Sequence, residues 1–218
     1  MEDIGINIKD RYVMIVGAGG TVKEYKDKIV DHIKINNIIT IGINLMTFLC
    51  IPDYHLWTNK QRYATQHDCI SKKSKLLFGC RMPENLIKKH WDGDFERVDY
   101  VNESDLLISY KDGCIYGNFR TAGILAIMIA YINGAKKIEV VGMDGFTLYD
   151  KIKLDNKEVN HHCYGSGYTD DASWEKCVGK DKLVDDGLHA LKDYGVDFKI
   201  LTPTKFEDFY DSNVLGII

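Results

Sequence analysis

The chain has 218 residues, of which 45% are hydrophobic and 28% charged, with only 3 prolines and a formal net charge of −4. That length suits one α/β domain, or one domain with a lid, and the composition is that of a globular protein. The mild acidic balance argues against a nucleic-acid platform, which would carry a basic face. The local cluster Lys72, Lys73, Lys75 and Arg81 reads as a solvated loop.

The six cysteines (50, 69, 80, 114, 163 and 177) show no C-x-x-C or other compact metal spacing. Cys50 and Cys114 sit in or beside apolar runs and read as buried thiols. The acidic start Met1-Glu2-Asp3 and the short first apolar run do not fit a secretory leader. The apolar run from Ala122 ends at Asn133-Gly134, short of a membrane span. A cytoplasmic, reduced protein without a transmembrane segment is expected.

Tyr12–Val16 reads as a buried strand that breaks into Gly17-Ala18-Gly19-Gly20-Thr21. A helix pattern follows over 22–35. Glycines at such a turn let the backbone approach an anion, and the next helix offers N–H groups to a phosphate. The spacing matches neither the dinucleotide fingerprint nor a Walker loop. Ile38–Ile43 is a second strand, ending at Asn44. Pro52-Asp53 marks a turn, and Tyr54–Thr58 a third strand, ending at Asn59. A helix is expected to start at Lys60, and a fourth strand covers Lys75–Phe78. Residues 81–116 are mixed, with strand candidates at Val98–Val101 and Leu106–Tyr110. Thr121–Asn133 is a small, apolar and therefore buried helix, with Gly134 as its C-cap. Lys137–Val141 is another strand, ending at Gly142-Met143-Asp144-Gly145. Residues 147–180 are polar and irregular and read as a lid. A helix over 182–194, a strand over 197–201 and a helical tail over 205–210 close the chain.

Strands alternating with helices predict a Rossmann-like α/β fold over 1–218: a mainly parallel sheet, helices on both faces and the irregular lid. Ligands in such sheets bind beyond the carboxyl ends of the strands. Gly17–Thr21, Asn44, Asn59 and Asp144 all fall there, which predicts a shared crevice. Each asparagine also fits a turn or helix cap.

These motifs carry a family resemblance. Val16-Gly17-Ala18-Gly19-Gly20-Thr21-Val22-Lys23-Glu24 resembles the opening turn of the bacterial sialyltransferases that use CMP-sialic acid. Asn44 and Asn59 look like the two asparagines that contact the nucleotide there. Asn118-Phe119-Arg120-Thr121-Ala122-Gly123 is similar to that family's Asn-x-Arg-x-Thr-Ser-Gly, one residue shorter. The run from Gly134 to Asp144 is similar to its Gly-x-x-Glu-Ile-x-Leu-x-Gly-x-Asp. The same superfamily includes archaeal 6-hydroxymethylpterin diphosphokinase-like domains and a domain attached to aldolases in surface-polysaccharide gene clusters. The segment from Asp53 to Tyr63 looks closest to that last group.

The resemblance implies a nucleotide-sugar-dependent transferase of surface-glycan synthesis. A CMP-activated sugar acid is the implied donor, and the partners are a nucleotide or nucleotide-sugar and a glycan acceptor; a homo-oligomer is left open. The implied nucleotide site is Gly17, Ala18, Gly19, Gly20, Thr21, Asn44, Asn59, Arg120, Thr121, Gly123, Gly142 and Asp144. Here Thr21 replaces the family's serine and can still donate to a phosphate. Arg120 fits a phosphate contact or a surface ion pair. The family's catalytic histidine precedes the last helix, near Gly179–Lys182, where this chain has none.

His161, His162 and Tyr164 are the candidate catalytic residues, with a histidine as general base for an acceptor hydroxyl. At most one of two adjacent histidines is expected at one site. Tyr149, Tyr164 and Tyr168 lie where hydroxyls would stabilise a departing phosphate. A resident metal is not firmly implied. The alternative of a diphosphokinase using ATP would have Asp144, with Asp150 or Asp155, hold Mg²⁺. A binding module without turnover is the third reading. Asp185-Asp186 suits a helix start, and Trp57, Trp91 and Trp174 suit the core or a stacked base.

Overall fold

A computed structural model describes residues 5–46, 49–103, 107–149, 152–153, 161–164 and 173–217. In chain order its strands and helices are β1 (Tyr12–Val16), α1 (Thr21–Glu24), α2 (Lys26–Ile35), β2 (Ile39–Ile43), β3 (Tyr54–Trp57), α3 (Lys60–Gln66), β4 (Lys75–Gly79), α4 (Glu84–His90) and β5 (Phe95–Val98). There follow β6 (Tyr100–Asn102), β7 (Ser109–Lys111), β8 (Cys114–Gly117), α5 (Ala122–Ile132), β9 (Lys137–Val141), α6 (Trp174–Asp193) and β10 (Lys199–Ile200).

Seven strands form one sheet in the order β10-β9-β1-β2-β3-β4-β5, and every pairing in it is parallel. The chain starts in the middle at β1, runs out to β5, then returns to the other side of β1 as β9. Strand order therefore reverses between β1 and β9, the place where open α/β sheets leave a crevice. This is a Rossmann-like α/β arrangement, as the alternation of elements predicts.

Side chains alternate across the sheet with the period of two that a strand imposes. Val13, Ile15, Ile41 and Leu56 pack on α5 and α6, whereas Met14, Val16 and Val141 pack on the other face with Val22 and Ile29. Residues 123–130 of α5 are all buried, so this helix is the hydrophobic centre of its layer. Gly187 of α6 lets the two helices meet, since a Cβ there would press on Ile124 and the Asn118 carbonyl.

Several boundaries differ from those read in the sequence. The first helix is interrupted at Tyr25 (φ −101°, ψ 19°), leaving a four-residue α1 before α2. The run 98–101 is cut at Asp99: β5 belongs to the large sheet and β6 to a separate three-stranded sheet, β6-β8-β7. Helix α4 and strand β8 lie in the stretch read as mixed. The last helix starts at Trp174, capped by Ser173 accepting from the Lys176 amide, so residues 174–180 are not part of an irregular lid. Its buried stripe is Cys177, Asp181, Val184, Leu188 and Leu191, and the aspartate in that stripe hides the helical pattern. Cys50 and Cys114 are half-buried; the buried thiols are Cys163 and Cys177. Trp57 is fully buried in the core with Tyr63 and Phe78, out of reach of a base. Among the described residues no helix is long and apolar enough to cross a membrane.

At the switch point β1 and β9 leave the sheet in close contact. Gly142 has φ +70°, and a Cβ on it would strike Val22 and the Gly17 backbone. Gly142→Ala should therefore lower unfolding free energy by at least about 2 kcal/mol, through both strain and overlap. Urea unfolding of the variant against the parent measures this; an unchanged midpoint would contradict the close approach.

Candidate functional site

A cleft of about 460 Å³ opens at the switch point. Its lining includes Gly17, Ala18, Gly19, Asn44, Asn59, Arg120, Thr121, Gly123, Gly142, Asp144, His161 and His162. Of the candidate nucleotide-site and catalytic residues, Gly20, Thr21 and Tyr164 lie outside that lining, and so does Tyr149. Asp150, Asp155 and Tyr168 lie outside the described residues.

The glycine turn does not offer the row of open amides expected of a phosphate cradle. Gly17 N–H donates to the Val141 carbonyl at 2.8 Å, and Gly19 N–H to the Gly142 carbonyl at 3.0 Å. Thr21 N–H donates to Asp144 Oδ2 at 2.8 Å, and its hydroxyl to Oδ1 at 2.5 Å. Thr21 is therefore buried behind the turn, its donors engaged with Asp144. The glycines answer to packing: a Cβ on Gly17 would meet the Gly142 carbonyl, and one on Gly19 the Asp144 carboxylate. The backbone donors of this turn bind β1 to the exit of β9.

The exit of β9 is held from its other side as well. Gly142 N–H donates to Thr202 Oγ1, the Thr204 hydroxyl donates to the Met143 carbonyl, and Lys205 N–H donates to the Asp144 carbonyl. Asp181, reaching from α6, accepts from the amides of Phe146 and Thr147 and from the Thr147 hydroxyl. Asp181 lies one residue before the helix expected over 182–194; the helix begins eight residues earlier, at Trp174, and carries this aspartate on its buried stripe. Asp185 and Asp186 are outside the site, near His189 and bonded to Lys182 respectively.

Both histidines line the cleft, because their short segment pairs with the glycine turn. Cys163 N–H donates to the Ala18 carbonyl at 3.0 Å, and Gly19 and His162 form an antiparallel bridge. The His162 ring stacks on Tyr164 (4.8 Å, 14°), and the His161 ring lies 6.1 Å from Phe146. Burial pushes the Tyr149 hydroxyl up to about 12, so it stays a donor. Because α6 begins at Trp174, positions 179–182 are inside the helix. A histidine placed just before the last helix is not to be sought there.

Asn59 is both cap and lining. Its Oδ1 accepts from the Arg62 amide at 3.0 Å and starts α3. Asn44 adopts the left-handed region at φ +49° and is 7% exposed, with its Oδ1 buried and unpartnered. The position of Asn44 depends on His55, which sequence reasoning missed. Burial lowers the His55 imidazole to about 4, so it is neutral, and its Nε2–H donates to the Asn44 carbonyl at 2.6 Å. Asn102, also missed, accepts from the Phe119 amide and donates to the Phe119 carbonyl, fixing the backbone beside Arg120. Helix α5 then begins at Thr121 without a side-chain cap, and Thr121 Oγ1 is buried and unpartnered. The first-turn amides of α5 have no partner within the helix, and three of the residues around that start (Thr121, Ala122 and Gly123) line the cleft.

Arg62 and Arg81 line the same cleft. Arg81 is exposed, as the solvated-loop reading of 72–81 expects, and it also contributes to the cleft lining. Among the described lining residues Asp144 is the only carboxylate. Burial pushes its acid up to about 7, against the Thr21 hydrogen bonds that favour the charged form. Among the described residues no group of three His, Cys, Asp or Glu side chains could hold a metal.

No protein-family model matches this chain. No curated protein matches it in sequence.

Two buried groups give opposite pH dependences. Asp144 titrates near 7 in the fold and 3.8 unfolded, so its contribution is complete below 3.8 and is lost as pH rises to 7. His55 titrates near 4 in the fold and 6.5 unfolded, so its contribution is complete above 6.5 and is lost as pH falls to 4. Each is worth a few kcal/mol over its window. Denaturant titrations from pH 4 to 7 should show the Asp144→Asn deficit shrinking as pH rises. The His55→Gln deficit should grow over the same range. Parallel curves for parent and variants would refute both assignments.

Proposed function

We propose that the protein is a transferase acting on a nucleotide-activated sugar, with a CMP-activated sugar acid as donor, in surface-glycan synthesis. The observation that carries this reading is the pairing of residues 162–163 with the glycine turn, which brings two histidines into a cleft that Arg62, Arg81 and Arg120 also line. One imidazole takes the proton of the acceptor hydroxyl as that oxygen attacks the anomeric carbon. The bond from that carbon to the phosphate oxygen breaks, and the nucleotide leaves with the electron pair. Arg120 and the uncapped start of α5 stabilise the charge that develops on the phosphate. The residues of the family resemblance (Asn44, Asn59, Arg120, Thr121, Gly123 and Gly142) converge on this cleft, which supports the reading. Asp144 is a poor Mg²⁺ ligand with both oxygens on Thr21, which favours the transferase over the diphosphokinase.

Calorimetry with CMP, with and without Mg²⁺, tests the proposal. CMP should bind equally well in both, and Arg120→Gln should weaken it about tenfold or more, the value of a charge-assisted hydrogen bond. The double variant His161→Ala, His162→Ala should retain CMP affinity and lose turnover of a CMP-sugar. Binding of ATP alone, and only with Mg²⁺, would replace the proposal with a diphosphokinase. Tight CMP binding with no turnover by the parent protein would leave a binding module.

A further inference from the structure

Two histidines that are not part of the cleft lining lie face to face between α3 and α4. His67 opens the 3₁₀ turn His67–Cys69 that continues α3, and His90 is the last residue of α4. Their rings stack with centres 3.7 Å apart and planes 24° apart. Tyr63, on α3, makes edge contacts with both, at 6.1 Å from His67 and 6.2 Å from His90. The Tyr63 hydroxyl donates to the Ile87 carbonyl of α4 at 3.3 Å. Together with the apolar cluster of Trp57, Tyr63, Phe78 and Ile87, these contacts fasten α3 to α4.

A stack of two neutral imidazoles, or of one neutral and one protonated, is a favourable aromatic contact. A stack of two imidazoliums sets like charges against each other at that same short spacing. The surroundings do little to relieve it. Asp68 Oδ1 lies 2.9 Å from His67 Nδ1, but the Asp68 side chain is 94% exposed, so water screens the pair. Lys89 adds a like charge beside His90, and Lys88 is taken up by Glu84. From α3 the stack meets only the ring of Tyr63, whose hydroxyl burial pushes up to about 12, so it is neutral. Partial burial, then the neighbouring His67 and Lys89, hold the His90 imidazole below its ordinary 6.5, against the pull of Asp68. The contribution of the contact is therefore complete above 6.5 and is lost as pH falls through the folded value of His90.

Helix α3 has seven residues, a rod about 10 Å long. One end carries the stack and the other reaches the cleft. Thr58, Asn59 and Arg62 line the cleft, and Asn59 caps the helix. Arg81, in the same lining, leads through Met82-Pro83 into α4. We infer that the His67–His90 stack is an acid-sensitive latch. It closes α3 on α4 while it holds at most one proton, and it opens when the second proton arrives, loosening the cleft-lining residues that α3 carries. The latch does not depend on which ligand the cleft takes.

Amide hydrogen exchange from about pH 7.5 down to about pH 4.5, corrected for the intrinsic pH dependence of exchange, reads the latch. Acid acting through His55 weakens the whole fold, so the amides of the buried helix α5 serve as the internal reference. Protection of α3 relative to α5 should fall about tenfold or more over this range. The Tyr63 amide, which donates to the Asn59 carbonyl, reports the cleft end and should lose protection with the rest. His90→Phe keeps an aromatic stack and removes the second charge, so its relative α3 protection should not respond to acid. His67→Phe should behave in the same way and serves if the first variant does not fold. In an NMR titration His90 should take up its proton at higher pH in His67→Phe than in the parent. A constant ratio of α3 to α5 protection in the parent, or a fall as large in the phenylalanine variants, would overturn the inference. So would an unaltered His90 titration, or a loss that spares the Tyr63 amide.

Discussion

The contact between the ends of β1 and β9 is the constraint on which this molecule depends. These strands are neighbours in the sheet although more than a hundred residues separate them in the chain. Their exits must pass within backbone distance of each other. Gly17 and Gly142 make that passage, and the Thr21 donors bonded to Asp144 lock it. A burial this complete raises the carboxyl of Asp144 despite two good donors, so the lock is electrostatically expensive and geometrically demanding. Thr202, Thr204 and Asp181 hold the same loop from behind. The crevice exists because the loop that forms its floor has no freedom to fill it.

On this floor the cleft lining gathers the glycine turn, His161, His162, a carboxyl that is tied up, three arginines (Arg62, Arg81 and Arg120) and the start of α5, which lacks a side-chain cap. The start of α5 lies against the exit of β9, since a Cβ on Gly123 would meet Met143. The neutral, buried His55 is not itself one of the cleft-lining residues. It acts through the Asn44 carbonyl, in the manner of a support that fixes the residue beside the ligand.

Much of the fold was legible because period and punctuation agree. Tyr12–Val16, Tyr54–Trp57 and Lys137–Val141 are short apolar runs ended by Gly or Asn, and each is a strand of the parallel sheet. The apolar run from Ala122 is a buried helix. What failed did so for identifiable reasons. Asp181 breaks the apolar stripe of α6, and its purpose appears only when the Phe146 and Thr147 amides are found beside it. Asp99 sits inside one β-rich run, yet it is the point where the chain changes sheets. Tyr25 interrupts a helix whose pattern continues on both sides.

The sequence by itself determined the class of fold and the residues at the strand exits, because hydrophobic period and chain-breaking residues are local properties. Which donors those residues have left to give was decided by the tertiary structure. The glycine turn reads locally as an anion cradle, but its Gly17, Gly19 and Thr21 amides are consumed by Val141, Gly142 and Asp144, all of them remote in the chain. Arg81 reads locally as a surface charge and is exposed, yet Arg97, bonded to the carbonyls on both sides of it, sets it among the cleft-lining residues. A hydrogen bond is settled by whichever partner the fold brings first, and that partner is not written near the donor.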